Sequence, residues 1–440
     1  MQQTLRQRLE GLPAPFYALM LSDVLSGLAM GAGYVAISWW VVQSGGARDM
    51  AWFGSITALV MLLSLPLTAP LGDRLPKNRL IGGGMLLAML SALLLALMAA
   101  MGWYRIGWVI AVESLAMLAW SIVLPSMLSI AAEMVPAARL GDALSLQKSS
   151  QSAGNLIGPV LGGGLMAATS PTLTLLAYAF LLVVAAAASL YVRVPPRAAG
   201  AVRSPWLEDI RSGLYARWRI PLERYWTLAV FITLVAFMPL VTTLLPVKLH
   251  ALGLSAAWLG GCEAAISAGM LLGSLWFTHV LLRRFSRYQA RTLGMLVCGV
   301  LMLVVALSDN PWLILACFAV MGLMFALNQL IGQTHRTLAV PENYRARFSA
   351  INVMLVKIGS MLGPALAGAL LHVLPLDRVY LIFALLHLAT VLPMLLLPGL
   401  KAFLELDHEE VKDWYWRHHP EAFRDLAAMP AAAKPACETR

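Results

Sequence analysis

Ionised side chains are scarce in this sequence: Asp, Glu, Lys and Arg make up 12% of its 440 residues, against about 25% in a soluble globular domain. A chain so poor in charge cannot cover a water-facing surface, which excludes an ordinary soluble enzyme or binding module. Cysteine is scarce as well. Cys262, Cys298, Cys317 and Cys437 form no CxxC pair and no metal-ligand spacing, so neither a disulfide scaffold nor a metal site is expected. A nucleophile elbow, a phosphate loop and a cluster of His and acid on one helix are also missing, and no enzymatic chemistry is expected. Acids are the rarer sign, 22 against 32 Lys and Arg, for a net charge of +10. A basic excess is the footprint of nucleic-acid binders. Here, however, the basic residues lie mainly in short segments between apolar runs, so nucleic acid is not an expected partner.

What the chain does have is apolar sequence, 60% of its residues, with a mean hydropathy of +0.76. That is enough for on the order of a dozen membrane spans of about 20 residues each. Runs of this length lie near 14–44, 48–71, 80–101, 107–131, 142–167, 173–192, 225–247, 255–282, 290–308, 311–334, 347–373 and 378–399. The expected fold class is therefore all-α integral membrane, with twelve transmembrane helices. Residues 1–13 are polar, and no small-residue cleavage pattern follows, so the first run reads as a retained span and not a signal peptide.

Charge placement sets the orientation. With a cytoplasmic N-terminus, the inner segments carry twenty Lys and Arg before the tail is counted, among them Arg283, Arg284, Arg287, Arg291, Arg336, Arg345 and Arg347. The outer loops carry four, Arg48, Arg105, Lys248 and Arg378. This asymmetry predicts a multi-pass protein of a bacterial inner membrane with both termini in the cytoplasm. Trp39, Trp40, Trp52, Trp103, Trp108, Trp258 and Trp312 fall near outer ends, as an aromatic belt would. The expected division is a six-helix half over 1–192, a cytoplasmic linker over 193–224, a second six-helix half over 225–399 and a cytoplasmic tail over 400–440. In the linker, Leu207, Ile210, Leu214 and Trp218 recur at helical spacing among arginines, the pattern of an amphipathic helix on a membrane surface. The tail is polar and mixed in charge, 430–436 reads as disordered, and its His408, His418 and His419 read as a solvated face.

The two halves repeat. An offset of 205 residues superposes Val135-Pro136 on Val340-Pro341, Gly154 on Gly359, Gly158-Pro159 on Gly363-Pro364, and Leu161, Gly163 and Leu165 on Leu366, Gly368 and Leu370. Spans five and eleven are thus equivalent elements. Duplicated bundles of this kind place a transport substrate at the interface between repeats.

Span five reads Gly154-Asn155-Leu156-Ile157-Gly158-Pro159-Val160-Leu161-Gly162-Gly163. Glycines four apart admit a close neighbouring helix, and an internal proline frees a carbonyl and bends the span. This pattern resembles the antiporter motif of the drug and proton exchangers in the major facilitator superfamily. The loop around Leu71, Asp73, Arg74, Lys77 and Arg79 resembles that superfamily's G-x-L-A-D-R-x-G-R-K signature, with Ala69 and Pro76 in place of its glycines. The resemblance runs to about Leu400, and its nearest look is to the branch holding the enterobactin exporter and the macrolide efflux proteins. It implies two pseudo-symmetric six-helix bundles. It also implies a gating role for the loop, in which Asp73 docks on the N-terminus of span eleven and Arg74, Lys77 and Arg79 hold Asp73 or lipid headgroups. One departure is the lack of arginine in span four, where the drug antiporters carry one; Glu113 occupies that neighbourhood.

Among acids and lysines, five fall well within the spans: Asp23, Glu113, Lys148, Glu263 and Lys357. Each costs about 2.5–3.5 kcal/mol at a span centre and needs a partner, a cavity or a task. Asp23 is about ten residues into span one, ~15 Å deep at 1.5 Å per residue, and is the first candidate for proton coupling. Lys357 is a candidate partner for one of the acids or for an anionic substrate group. Gln147, Gln151, Asn155, Asn328, Gln329 and Gln333 are candidate cavity linings. The expected function is proton-driven export of a small amphiphilic compound, siderophore or antibiotic-like, by a monomer that needs only the proton motive force and no cofactor. An importer of the same fold and a non-transporting sensor that uses the tail are the alternatives.

Overall fold

The computed structural model describes residues 13–68, 71, 75–135, 139–192 and 206–423, and among these the regular structure is helical. The first helix is assigned continuously over Ala14–Thr68, but Gly46 breaks it with φ 69° and ψ −161°. Only glycine takes such a backbone cheaply, so this one element is spans one and two, turning where the sequence places a boundary. Spans three to six are Lys77–Ala100, Ile106–Met134, Leu140–Ala168 and Pro171–Leu190. A short helix, Trp206–Arg219, links the halves. Span seven runs through Pro221–Pro239, the wider turn Leu240–Leu244 and Leu245–Ala251. Span eight joins Ala256–Leu272, a second wide turn and Thr278–Leu282. In that turn Thr278 Oγ1 donates to Gly273 O at 2.8 Å, satisfying a carbonyl that the regular ladder leaves free. Spans nine to twelve are Arg287–Leu307, Pro311–Ala339, Glu342–Leu371 and Leu376–Ala389 continued by Val391–Leu395.

Ten of these helices are long and apolar enough to cross a membrane, one of them being the double element Ala14–Thr68. Span five is more polar than the rest and is the twelfth. Large apolar side chains such as Leu67, Phe180, Leu275 and Leu392 stand exposed around the outside, as lipid-facing positions do. The belt is partly different from expectation. Trp52, Trp103, Trp108 and Trp312 are exposed, but Trp39 and Trp40 are 6% exposed and pack edge-on against His250 and Tyr104.

The packing shows the duplication. Span one lies on spans five and six, and span three on spans four and six; the second half repeats this with seven on eleven and twelve, and nine on ten and twelve. The halves meet through two equivalent seams, five against eight and eleven against two.

The chain after span twelve is folded as far as Phe423. Leu400–Glu405, His408–Val411 and Trp414–His418 are short helices, and Phe403, Val411, Tyr415 and Phe423 are buried. His408 faces the ring of His335, and His418 stacks on Trp414. The segment 430–436 lies outside the described residues.

Candidate functional site

The glycines of span five have two separate tasks. Gly154, Gly158 and Gly162 recur every four residues and face span one: a Cβ at Gly27 would stand 3.0 Å from Gly154 Cα, and one at Gly158 would stand 2.7 Å from Leu28 O. Gly163, one position round the helix, faces the other half, as does the carbonyl of Pro159, whose ring packs on Gly31 of span one. A Cβ at Gly163 would stand 3.1 Å from Gly260 Cα and 3.2 Å from Ala257 Cα of span eight. Span eleven repeats the division. Gly359 and Gly363 face Leu234 and Val235 of span seven, while Pro364 and Gly368 face Gly54 and Ala51 of span two. The paired small residues let backbones touch both inside each bundle and across the seams.

Residues 163, 260, 51 and 368 all lie near the helix ends remote from the linker and tail. The seams are therefore closed at the remote face. At 100° per residue Lys148 shares the Gly163 side of span five; about three turns from Pro159 toward the linker face it is exposed, so the close contact does not continue that far.

The five intramembrane charges do not form one constellation. Asp23 is fully buried inside the first bundle. Gln151 Nε2 donates to its Oδ1 at 3.4 Å, Gln147 stands beside it, and its Oδ2 has no partner. The neighbouring serines bond elsewhere, Ser22 to Ala185 O and Ser26 to the backbone oxygen of Asp23. Glu113 sits beside Ser91 and Tyr178, among spans three, four and six, with Oε2 unpartnered. Glu263 of span eight is within electrostatic reach of Tyr34 of span one, across the seam. Among the described residues none of these acids has a cation within 4.0 Å, and Lys357, the partner expected for one of them, pairs with none.

Of the loop signature, Asp73 and Arg74 lie outside the described residues. Arg79 is exposed. Lys77 is buried and its ammonium is 2.7 Å from Glu133 at the end of span four, a partner the loop reading did not include.

The second bundle holds a network that the sequence reading missed. Glu223, fully buried, takes a two-pronged contact from Arg336, with Nε at 2.8 Å and Nη2 at 2.6 Å. Tyr415 of the tail donates to Glu223 Oε1 at 2.7 Å, and Arg217 of the linker helix stands 3.9 Å away. Arg217 also donates to Phe348 O at 2.9 Å. Burial pulls its guanidinium down to about 10, against the pull of Glu223. Burial, then the Glu223 charge, pushes the Tyr415 phenol well above its ordinary range. Arg217, Arg336, Arg291 and Arg345 line one cavity of about 270 Å³ between spans seven, ten and eleven, with Asn328, Gln329 and Gln333 on its wall. All four of these arginines are among the charges counted as inner-segment charges for orientation. The structure carries Arg291 four residues into span nine and Arg336 three before the end of span ten, whereas the apolar runs 290–308 and 311–334 begin and end beside them, so no sequence signal set them apart from loop charges.

Two six-helix bundles related by a repeat and meeting at glycine seams have the architecture of a membrane transporter. The sequence profile of the Major Facilitator Superfamily matches residues 19–311 and 292–426, and the chain belongs to that family. A bacterial homolog of the human lysosomal transporter Spinster, in an inward-facing and unoccupied conformation, superposes with a TM-score of 0.64 at 15% identity, covering 90% of this chain and 96% of that one. A mutant of the nucleoside transporter NupG gives 0.68 at 14%, covering 87% and 100%. These likenesses show the fold. Among curated proteins, none matches the sequence.

Proposed function

We propose that this superfamily member is a proton-coupled exporter of a small amphiphilic compound, siderophore or antibiotic-like, and that Asp23 carries the proton. The linker face would be cytoplasmic, in a bacterial inner membrane, as the placement of Lys and Arg suggests. On this reading the divisions at 192, 224 and 399 separate two rocking halves, a connector and a docked tail, in a monomer driven by the proton motive force with no cofactor. Glu113, Glu263, Lys148 and Lys357 are secondary candidates for coupling or substrate contact, and the loop of Asp73, Arg74, Lys77 and Arg79 for gating. Export is favoured over import by the span-five motif.

The observation that carries the coupling is Asp23 itself: 0% exposed, one oxygen unpartnered, with no cation in contact. An ionised carboxylate there costs several kcal/mol that the neutral acid does not. A rearrangement that wets the site therefore releases a proton, and the return takes one up. The amides of Gln147 and Gln151 lie where an ionised form would need donors.

The test uses everted vesicles and a fluorescent cationic or amphiphilic dye. Asp23→Asn is expected to abolish dye-induced proton flux while leaving expression and thermal stability intact. Proton flux equal to wild type would remove Asp23 from the mechanism.

A further inference from the structure

The arginine cavity of the second bundle is overcharged for what surrounds it. Glu223 is saturated: Arg336 takes both its oxygens, Tyr415 takes one as well, and Arg217 approaches from the side. Arg291 receives none of that carboxylate. It is 7% exposed, its guanidinium lies 4.3 Å from the Trp226 ring centre, and its Nε and Nη1 have no hydrogen-bond partner. No acid stands within 4.0 Å of it among the described residues, and the charge of Arg336, of its own sign, acts on it. Arg345, on the same wall, donates Nε to the carbonyls of Thr337 and Val340, and its charge acts on Asp413 on the tail side.

An unpaired buried guanidinium costs several kcal/mol. A bundle that keeps one at a cavity wall, beside further arginines, is built for an anion that arrives from outside. The donors come from spans nine, ten and eleven and the linker helix, so they converge from different directions. A planar carboxylate satisfies one guanidinium fork, whereas a tetrahedral oxyanion offers oxygens to several forks at once. The rest of the wall mixes Trp226, Phe325, Phe348 and Leu234 with the amides of Asn328, Gln329, Gln333 and Asn352, and it suits the organic part of a phosphate ester that carries both apolar surface and hydrogen-bonding groups.

We propose that this cavity is a phosphate-binding site, in which Arg291 is the primary ligand and Arg345 and Arg217 close round the same oxyanion. The site is separate from the Asp23 pocket and does not depend on proton coupling. The phosphate is either that of an anionic lipid headgroup or that of a soluble phosphate ester, since both reach the linker face.

The experiment compares the full chain in detergent with Arg291→Gln, with Arg345→Gln as a second cavity variant and with exposed Arg283→Gln as a charge-matched control. Thermal unfolding is followed in sodium phosphate against sodium chloride at equal ionic strength. Native mass spectrometry is run with added phosphatidylglycerol. If the natural ligand is soluble, phosphate raises the unfolding midpoint of wild type and Arg283→Gln, with at least a tenfold loss of apparent affinity in both cavity variants. If it is a lipid, inorganic phosphate has little effect, but one phosphatidylglycerol stays bound to wild type and Arg283→Gln and is lost from the cavity variants. Equal behaviour of all four proteins in both measurements would overturn the proposal. So would loss in Arg283→Gln as large as in the cavity variants.

Discussion

At the scale of single residues, the buried polar groups divide by whether their charge is met. Glu223 is met on three sides, and each contact has a measurable share. Tyr415→Phe removes one hydrogen bond to a buried carboxylate and is expected to cost about 1–2 kcal/mol, read as a lower unfolding midpoint of the solubilised protein. A midpoint unchanged from wild type would mean that Tyr415 contributes shape alone. Asp23, Glu113 and Glu263 are met by amide, hydroxyl or nothing charged, and this contrast separates candidate proton carriers from a structural ion-pair network. The sequence shows all of these residues but not the distinction, because an ion pair such as Glu223 with Arg336 joins positions 113 apart in the chain.

Individual helices show how one motif serves two interfaces. On span five the glycines at 154, 158 and 162 and the ring of Pro159 belong to packing within the first bundle, and Gly163 with the Pro159 carbonyl belongs to the seam. Gly163→Val drives its methyls into Gly260 and Ala257 and is expected to hold the remote face open, cutting transport at least tenfold with normal membrane insertion. Gly164→Val is the control, since a Cβ there meets nothing within 4 Å, and it is expected to transport as wild type does. Equal transport by both variants would refute the seam assignment. The linker helix has a similar division. Gly213 packs on Arg347 and Ile351 of span eleven, while Leu214 and Trp218, two of the four residues of its sequence-predicted apolar stripe, remain exposed and available to a membrane surface. In the tail, His408 and His418 are exposed as the solvated-face reading has them, but the packing beneath them was not read. The tail's polar composition hid a row of aromatics, Phe403, Trp414, Tyr415 and Phe423, which pack because the base of the second bundle offers Trp226, His335 and Tyr344 to them.

For the whole molecule, the two halves close on each other at the remote face. A Cβ at Gly368 would stand 2.6 Å from Cβ of Ala51, so Ala51→Cys combined with Gly368→Cys brings two thiols within bonding range after a small adjustment. Oxidation is expected to cross-link the pair in the resting protein and stop transport until reduction; failure to cross-link while the single Ala51→Cys and Gly368→Cys variants each react with a thiol reagent would show that the remote face is not closed. The sequence by itself determined the twelve spans, the six-plus-six repeat and the glycine motif, because hydropathy, charge between runs and identities at a fixed offset are local properties or simple periodicities. It did not determine which loop-side arginines turn inward, which glycines face the partner half, or that the tail covers the second bundle. Those depend on how helices distant in the chain are laid side by side, and only the tertiary structure decides that, by setting which buried charge meets its counterion and which is left waiting for one.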